Sequence, residues 1–231
     1  VGLFTGCADA ALLPRTALRL RGLLAALGCE VTIPAGQTCC GAQAEHRQDH
    51  RRAASLQARN LAALAPDAAP ADHLVVMAAG CGHELSRYPA AVSDRLIDAA
   101  ALLARLVTGP LGSVPLRVAL HDPCHARHGQ HQVAAPRQLL GRIADLQLLE
   151  PDEAEVCCGA AGTYGLRHAA LSATMGARKA GVLAATGCDL VVTTNVGCLG
   201  QLADALARRD RPVPILPLSD LVWYAWRRHG A

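Results

Sequence analysis

Apolar and polar positions along the chain alternate between short β-branched or aliphatic runs and longer stretches of helical period. Residues 1–5 predict a strand, 15–27 a helix, 30–33 a strand, 45–64 a helix and 73–77 a strand. The same order returns later, with strands at 117–120, 146–149 and 190–193 and helices at 136–143 and 171–183. Strands alternating with helices predict an α/β fold in which a mainly parallel sheet is flanked by helical crossovers. Residues 109–115, with two Gly and two Pro, separate the two series, so domains are expected at 1–110 and 115–231.

Composition narrows the function classes. A chain of 231 residues that is 52% hydrophobic and 18% charged is globular rather than disordered. Its net charge of +3 is too balanced for phosphate neutralisation, so no nucleic-acid partner is expected. No apolar run approaches a membrane span, because the Ala-rich stretch at 99–107 is broken by Arg105. The opening residues have neither a basic leader nor a long apolar core, and no initiator Met. A soluble, cytoplasmic protein, processed or cut from a longer one, is the expectation.

Cysteine changes the picture most. Ten Cys without a secretory leader point to metal or redox chemistry rather than a disulfide framework. Cys7 and Cys124, Cys39 and Cys157, Cys40 and Cys158, and Cys81 and Cys198 are each separated by 117 or 118 residues, so the chain is an internal duplication. Cys29 and Cys188 fall outside the repeat and read as packing thiols. Cys7, Cys81, Cys124 and Cys198 each follow a predicted strand, at the carboxyl edge where open α/β sheets place their sites. The Cys-Cys-Gly elements follow strands after short loops. Four thiolates per half make a soft, all-sulfur donor set, suited to an iron–sulfur cluster or to Zn²⁺. Gly41 and Gly159, directly after the Cys pairs, allow positive φ or close approach of backbone to a bulky inorganic group. No Cys lies three residues from another, which excludes zinc knuckles, thioredoxin-type motifs and c-type haem attachment.

The strings Gly6-Cys7, Thr38-Cys-Cys-Gly-Ala42, Ala79-Gly-Cys-Gly82, His121-Asp-Pro-Cys124, Val156-Cys-Cys-Gly-Ala-Ala-Gly-Thr-Tyr164 and Thr194-Asn-Val-Gly-Cys-Leu199 carry a resemblance. They are similar to the tandem cysteine-rich CCG domain pair, and more closely to the C-terminal portion of the glycolate oxidase iron–sulfur subunit family. The resemblance implies duplicated CCG domains holding one or two iron–sulfur clusters. It also implies an electron-transfer role within a flavin-dependent 2-hydroxy-acid oxidoreductase, peripheral at the inner membrane face through partners. Lactate-utilisation and heterodisulfide-reductase-like proteins are the related alternatives, and a zinc-stabilised binding module is the non-redox one. Family members carry an N-terminal ferredoxin-like region that this sequence lacks, which implies either truncation or a separate ferredoxin-like chain. The extended motif of heterodisulfide reductase has a further Cys three residues before the last one, where this sequence has Ala78 and Asn195. Four ligands per half therefore favour an ordinary 4Fe-4S cluster. No Gly-x-Gly-x-x-Gly fingerprint is present, so FAD is expected on a partner dehydrogenase subunit.

Other polar residues carry bland expectations. His121, His125, His128 and His131 surround Cys124, where they are placed to ligate a metal or relay protons, but read rather as surface histidines; Arg178 and Lys179 read as a solvated helix face rather than a site for an anionic partner. Thr163 and Tyr164 extend the second Cys-Cys-Gly loop, either as hydrogen-bond donors to a cluster or as the start of the next helix. Trp223, Tyr224 and Trp226 read as core cover.

Overall fold

The computed structural model describes residues 1–229. Seven strands form two parallel sheets: β1 (Gly2–Phe4), β2 (Leu74–Val76) and β3 (Leu96–Asp98) in one, β4 (Arg117–His121), β5 (Gln147–Leu149), β6 (Leu190–Thr193) and β7 (Ile215–Pro217) in the other. The first sheet runs β1-β2-β3 and the second β5-β4-β6-β7. A single parallel bridge from Gly2 to Thr32 occupies the place that β5 holds in the second sheet, so both halves share one topology. That bridge is all that forms of the strand expected at 30–33. Thr32 N donates to Val1 O at 3.0 Å and Leu3 N to Thr32 O at 2.8 Å, and Pro34, which has no N–H, then ends the ladder.

The helix expected at 45–64 is two helices, Ala42–His46 and His50–Leu64, broken where Gln48 takes φ 60° and Asp49 caps the second by accepting from Arg52 N at 3.1 Å. The pattern also left unassigned the helices Ala79–Leu85, Ala99–Leu106, Val196–Ala207 and Leu218–Arg227 and the strands β3 and β7.

The two halves exchange their last helices. Ala99–Leu106, which follows β3, packs against Ala134–Leu140 of the second half, while Leu218–Arg227, which follows β7, packs against Pro14–Ala26 of the first. Leu20, Leu24, Leu103, Leu139, Leu221 and Val222 consequently belong to one hydrophobic core. Trp223 and Trp226 are half-buried against it, whereas Tyr224 is exposed. Asp220 fastens the crossing by accepting from Arg19 Nη1 at 2.7 Å and Thr16 Oγ1 at 3.1 Å. The segment 109–115 is packed rather than loose, with Leu111 and Val114 buried and Gly112 N donating to Ala225 O at 3.0 Å. No helix among the described residues is long and apolar enough to cross a membrane.

Candidate metal centres

Parallel strands deliver their following turns to one edge of the sheet, and the repeated cysteines collect there. In the first half Cys7 opens the helix after β1, Cys81 sits in the helix after β2, and Cys39 and Cys40 precede Gly41, whose φ of 92° turns the chain into Ala42–His46. Cys7 Sγ lies 3.5 Å from Cys39 Sγ, and Cys40 Sγ 3.3 Å from Cys81 Sγ. The loop is held from behind. Asn60 Nδ2 donates to Cys39 O at 3.0 Å, Thr38 N to Asn60 Oδ1 at 2.7 Å, and Tyr88 Oη to Cys40 O at 2.8 Å. Burial pushes the Tyr88 phenol up to about 12, so it stays protonated as that donor.

The second half repeats the arrangement. Cys124 follows β4 and precedes a π-helical turn, His125–Gly129; Cys198 lies in the helix after β6; Cys157 and Cys158 precede Gly159 at φ 84°. Cys124 lies beside Cys157 and Cys158 beside Cys198, each near enough to shift its neighbour's thiol, the same pairing as in the first half. Here the sulfurs have polar partners: Gly159 N donates to Cys157 Sγ at 3.3 Å, and Asn195 Nδ2 to Cys198 Sγ at 3.3 Å. Ser172 Oγ donates to Gly159 O at 2.9 Å and Gln201 Nε2 to Ser172 O at 2.9 Å, which fixes the loop on the helix Ala169–Ala185. Thr163 precedes the short helix Tyr164–Arg167 without a side-chain hydrogen bond to it, and the Tyr164 ring packs tilted on His168 at 4.5 Å; the loop thus continues into a helix.

Burial and the neighbouring thiols shift the cysteines of each set. The hydrogen bond to Cys157 and burial push the Cys124 thiol up, while donation from Cys124 and Cys158 pulls Cys157 down. Cys39 is likewise pushed up by its contact with Cys40 and by burial. Four thiolates this close need a cationic group between them.

Three expectations are corrected. His121 is no surface residue: it is 1% exposed, and burial with Lys179 nearby pushes its pKa down to about 4. Lys179 is buried as well, its Nζ donating to Glu153 O at 2.6 Å and Ala154 O at 3.3 Å beneath the second Cys-Cys-Gly loop. The only lysine of the chain therefore ties down the cysteine loop from the helix side, while Arg178, one residue earlier, does face solvent and pairs with Glu153 at 2.8 Å. His125 is half-buried, stacks with His46 at 5.9 Å and meets His83 tilted at 5.4 Å, a group whose His83 and His125 neighbour Cys81 and Cys124 in the sequence. Cys188 is buried and Cys29 half-buried against the core, away from both sets. Asn60, Tyr88 and the histidine stack went unnoticed in the sequence, where nothing in their spacing relates Asn60 or Tyr88 to cysteine, or His46 and His83 to His125.

The sequence profile described as "Cysteine-rich domain" (CCG) matches residues 1–86 and again 118–203, each match containing one full set of four cysteines. The chain belongs to the CCG cysteine-rich domain family. Outside the two CCG matches lie the segment 87–117 and the C-terminal helix, the parts that carry the exchange between halves. A Bacillus subtilis (strain 168) protein named "Probable glycolate oxidase iron-sulfur subunit" is 32% identical over 241 residues, covering 96% of this chain and 54% of that protein. The chain thus spans about half the length of that relative. "Lactate utilization protein A" of Halalkalibacterium halodurans is 24% identical over 237 residues, 96% of each chain. A crystal structure of a hypothetical protein from Helicobacter pylori matches 97% of this chain and 48% of its own with a TM-score of 0.68 at 12% identity, which extends the likeness to the fold.

Proposed function

We propose that this CCG protein is the iron–sulfur electron-transfer component of a flavin-dependent 2-hydroxy-acid oxidoreductase, of the glycolate-oxidising kind, and passes electrons from a flavin subunit to a downstream acceptor. The convergence of four cysteine thiols at the carboxyl edge of each sheet carries this assignment. The donor chemistry suits the group. Among the described residues the one trio of ligand atoms lying within 4.8 Å of one another is His121, Cys158 and Cys198. A zinc tetrahedron with bonds of about 2.3 Å would bring all four sulfurs of a set to about 3.8 Å from one another. The first set pairs its sulfurs at 3.5 and 3.3 Å without bringing all four together, so what supports a cluster over zinc is the all-sulfur donor chemistry together with the iron–sulfur relative.

Cys7, Cys39, Cys40 and Cys81 would hold one cluster and Cys124, Cys157, Cys158 and Cys198 the other. When bound, such a cluster takes up one electron at a time. The chain's own residues keep the sulfurs in place: Asn60 and Tyr88 clamp the first loop, and Lys179, Ser172 and Gly159 N–H the second. Gly41 and Gly159, at positive φ, turn the loops so that both sulfurs of each pair reach the site, while Thr163 and Tyr164 close the second loop. Removing a hydride from the carbon that bears the hydroxyl needs a two-electron acceptor, assigned to FAD on a partner dehydrogenase subunit. A separate ferredoxin-like chain would complete the relay, with the assembly cytoplasmic and peripheral at the inner membrane face through its partners.

The match to lactate utilization protein A along nearly the whole of both chains favours lactate as the second candidate. Turnover with a dye acceptor tests the division of labour: none is expected from the purified chain with glycolate or lactate, and activity is expected once a flavoprotein partner is added, with the preferred acid separating the two candidates. Robust turnover by the chain alone, without flavin, would refute the assignment.

A further inference from the structure

The repeat that makes the two cysteine sets equivalent also shows where they differ. An offset of 117 places His121 opposite Phe4 and Asn195 opposite Ala78. Phe4 is fully buried and Ala78 nearly so, and both belong to an apolar lining. In the second half the same two places carry nitrogen donors that face sulfur.

His121 is the last residue of β4 and lies in register with Thr193 on β6. Its Nδ1 is 3.2 Å from Thr193 Oγ1, which fixes the plane of the ring. Its Nε2 is buried and has no hydrogen-bond partner. The ring nitrogen, Cys158 Sγ and Cys198 Sγ all lie within 4.8 Å of one another. A buried imidazole nitrogen without a partner is costly, and on a ring with a nitrogen within 4.8 Å of two candidate metal-ligating sulfurs a metal would supply that partner. When Nδ1–H donates to the Thr193 hydroxyl, Nε2 carries the lone pair, the arrangement in which metal-bound histidines are oriented by a second hydrogen bond.

We propose that His121 Nε2 takes one ligand position of the metal group in the second half, in place of one of the four thiolates of Cys124, Cys157, Cys158 and Cys198 assigned above. Resting on the iron–sulfur assignment above, the two centres are then chemically distinct: all-sulfur beside Phe4 in the first half, sulfur plus one imidazole in the second. Replacing thiolate by neutral imidazole raises a cluster's reduction potential. The second centre is accordingly the more readily reduced, and electrons in the chain run from the first half to the second.

Pulsed EPR on the anaerobically purified full chain, reduced and grown with ¹⁵N-histidine or unlabelled, tests the ligand directly. A strongly coupled nitrogen that changes with the label is expected, retained in His125→Ala and lost in His121→Phe, which installs the residue of the first half. The potential of one centre should fall in His121→Phe while that of the other stays. A chain replete in iron and sulfide that shows no histidine coupling, or that keeps it in His121→Phe, overturns the ligand and leaves the cluster assignment standing. Absence of iron and sulfide overturns both. If His121→Phe fails to hold a cluster, the labelled wild type and His125→Ala decide: a coupling lost in His125→Ala assigns the nitrogen to the other histidine and overturns the proposal.

Discussion

Gly41 and Gly159 close the two Cys-Cys-Gly loops at φ 92° and 84°, against the helices His50–Leu64 and Ala169–Ala185, so an alanine at each compares two differently packed turns. A Cβ on Gly41 would meet Ala53 O at 3.7 Å and Leu56 Cβ at 4.0 Å, ordinary contacts. On Gly159 it would lie 2.8 Å from both Ser172 O and Met175 Cβ, closer than a methyl can sit. Forcing an L residue into the left-handed region costs about 1–2 kcal/mol at either place. Overpacking of about 1–3 kcal/mol is added only at Gly159. Gly41→Ala is therefore expected to lose about 1–2 kcal/mol and Gly159→Ala about 2–5 kcal/mol. Urea unfolding followed by circular dichroism measures both, and iron per chain should fall further in Gly159→Ala because the clash shifts Cys157 and Cys158. Equal destabilisation, or a larger loss at Gly41, would refute the reasoning.

Serine at Cys39, Cys40, Cys157 or Cys158 should reduce bound iron and sulfide, whereas serine at Cys29 or Cys188 should leave them intact; equal losses at all six positions would show that the repeat misassigns the ligands. Lys179 places a buried cation beneath the second loop where the first half has the neutral Asn60. Lys179→Met should lower the potential of the second centre by on the order of tens of millivolts and leave the first unmoved, a shift that protein-film voltammetry resolves and that a rise would contradict. Burial raises the Asp98 carboxyl to about 6 from an ordinary 3.8. The folded chain then holds this proton more tightly than the unfolded one, so its contribution to stability is full below about pH 4 and is lost as pH rises through about 6. Asp98→Asn keeps the cap on Ala100 and Ala101 and should flatten that pH dependence, worth on the order of 3 kcal/mol; an unchanged slope in urea unfolding across this range would count against it.

The alternation of parallel strands with helices and the repeat of the cysteines were legible because the duplication prints each of them twice; the order of the strands was not. Nor was the helix exchange. An amphipathic stretch such as Leu218–Arg227 announces that one face is buried but not against which half, and only the tertiary structure shows it lying on Pro14–Ala26. His121 was misread for a related reason: β4 is a central parallel strand whose residues 118–121 are all buried, so period-two alternation gives no sign of where a polar side chain points. Lys179 was misread because a long cation usually marks solvent, whereas here two loop carbonyls receive it. The strands β3 and β7, three residues each at sheet edges, are too short for any pattern to stand out.

Iron, acid-labile sulfide and zinc measured together on the anaerobically purified chain bear most directly on the central claim. Iron and sulfide in equal amounts, about four of each for every occupied cysteine set, are the predicted result. Stoichiometric zinc with no sulfide would contradict it.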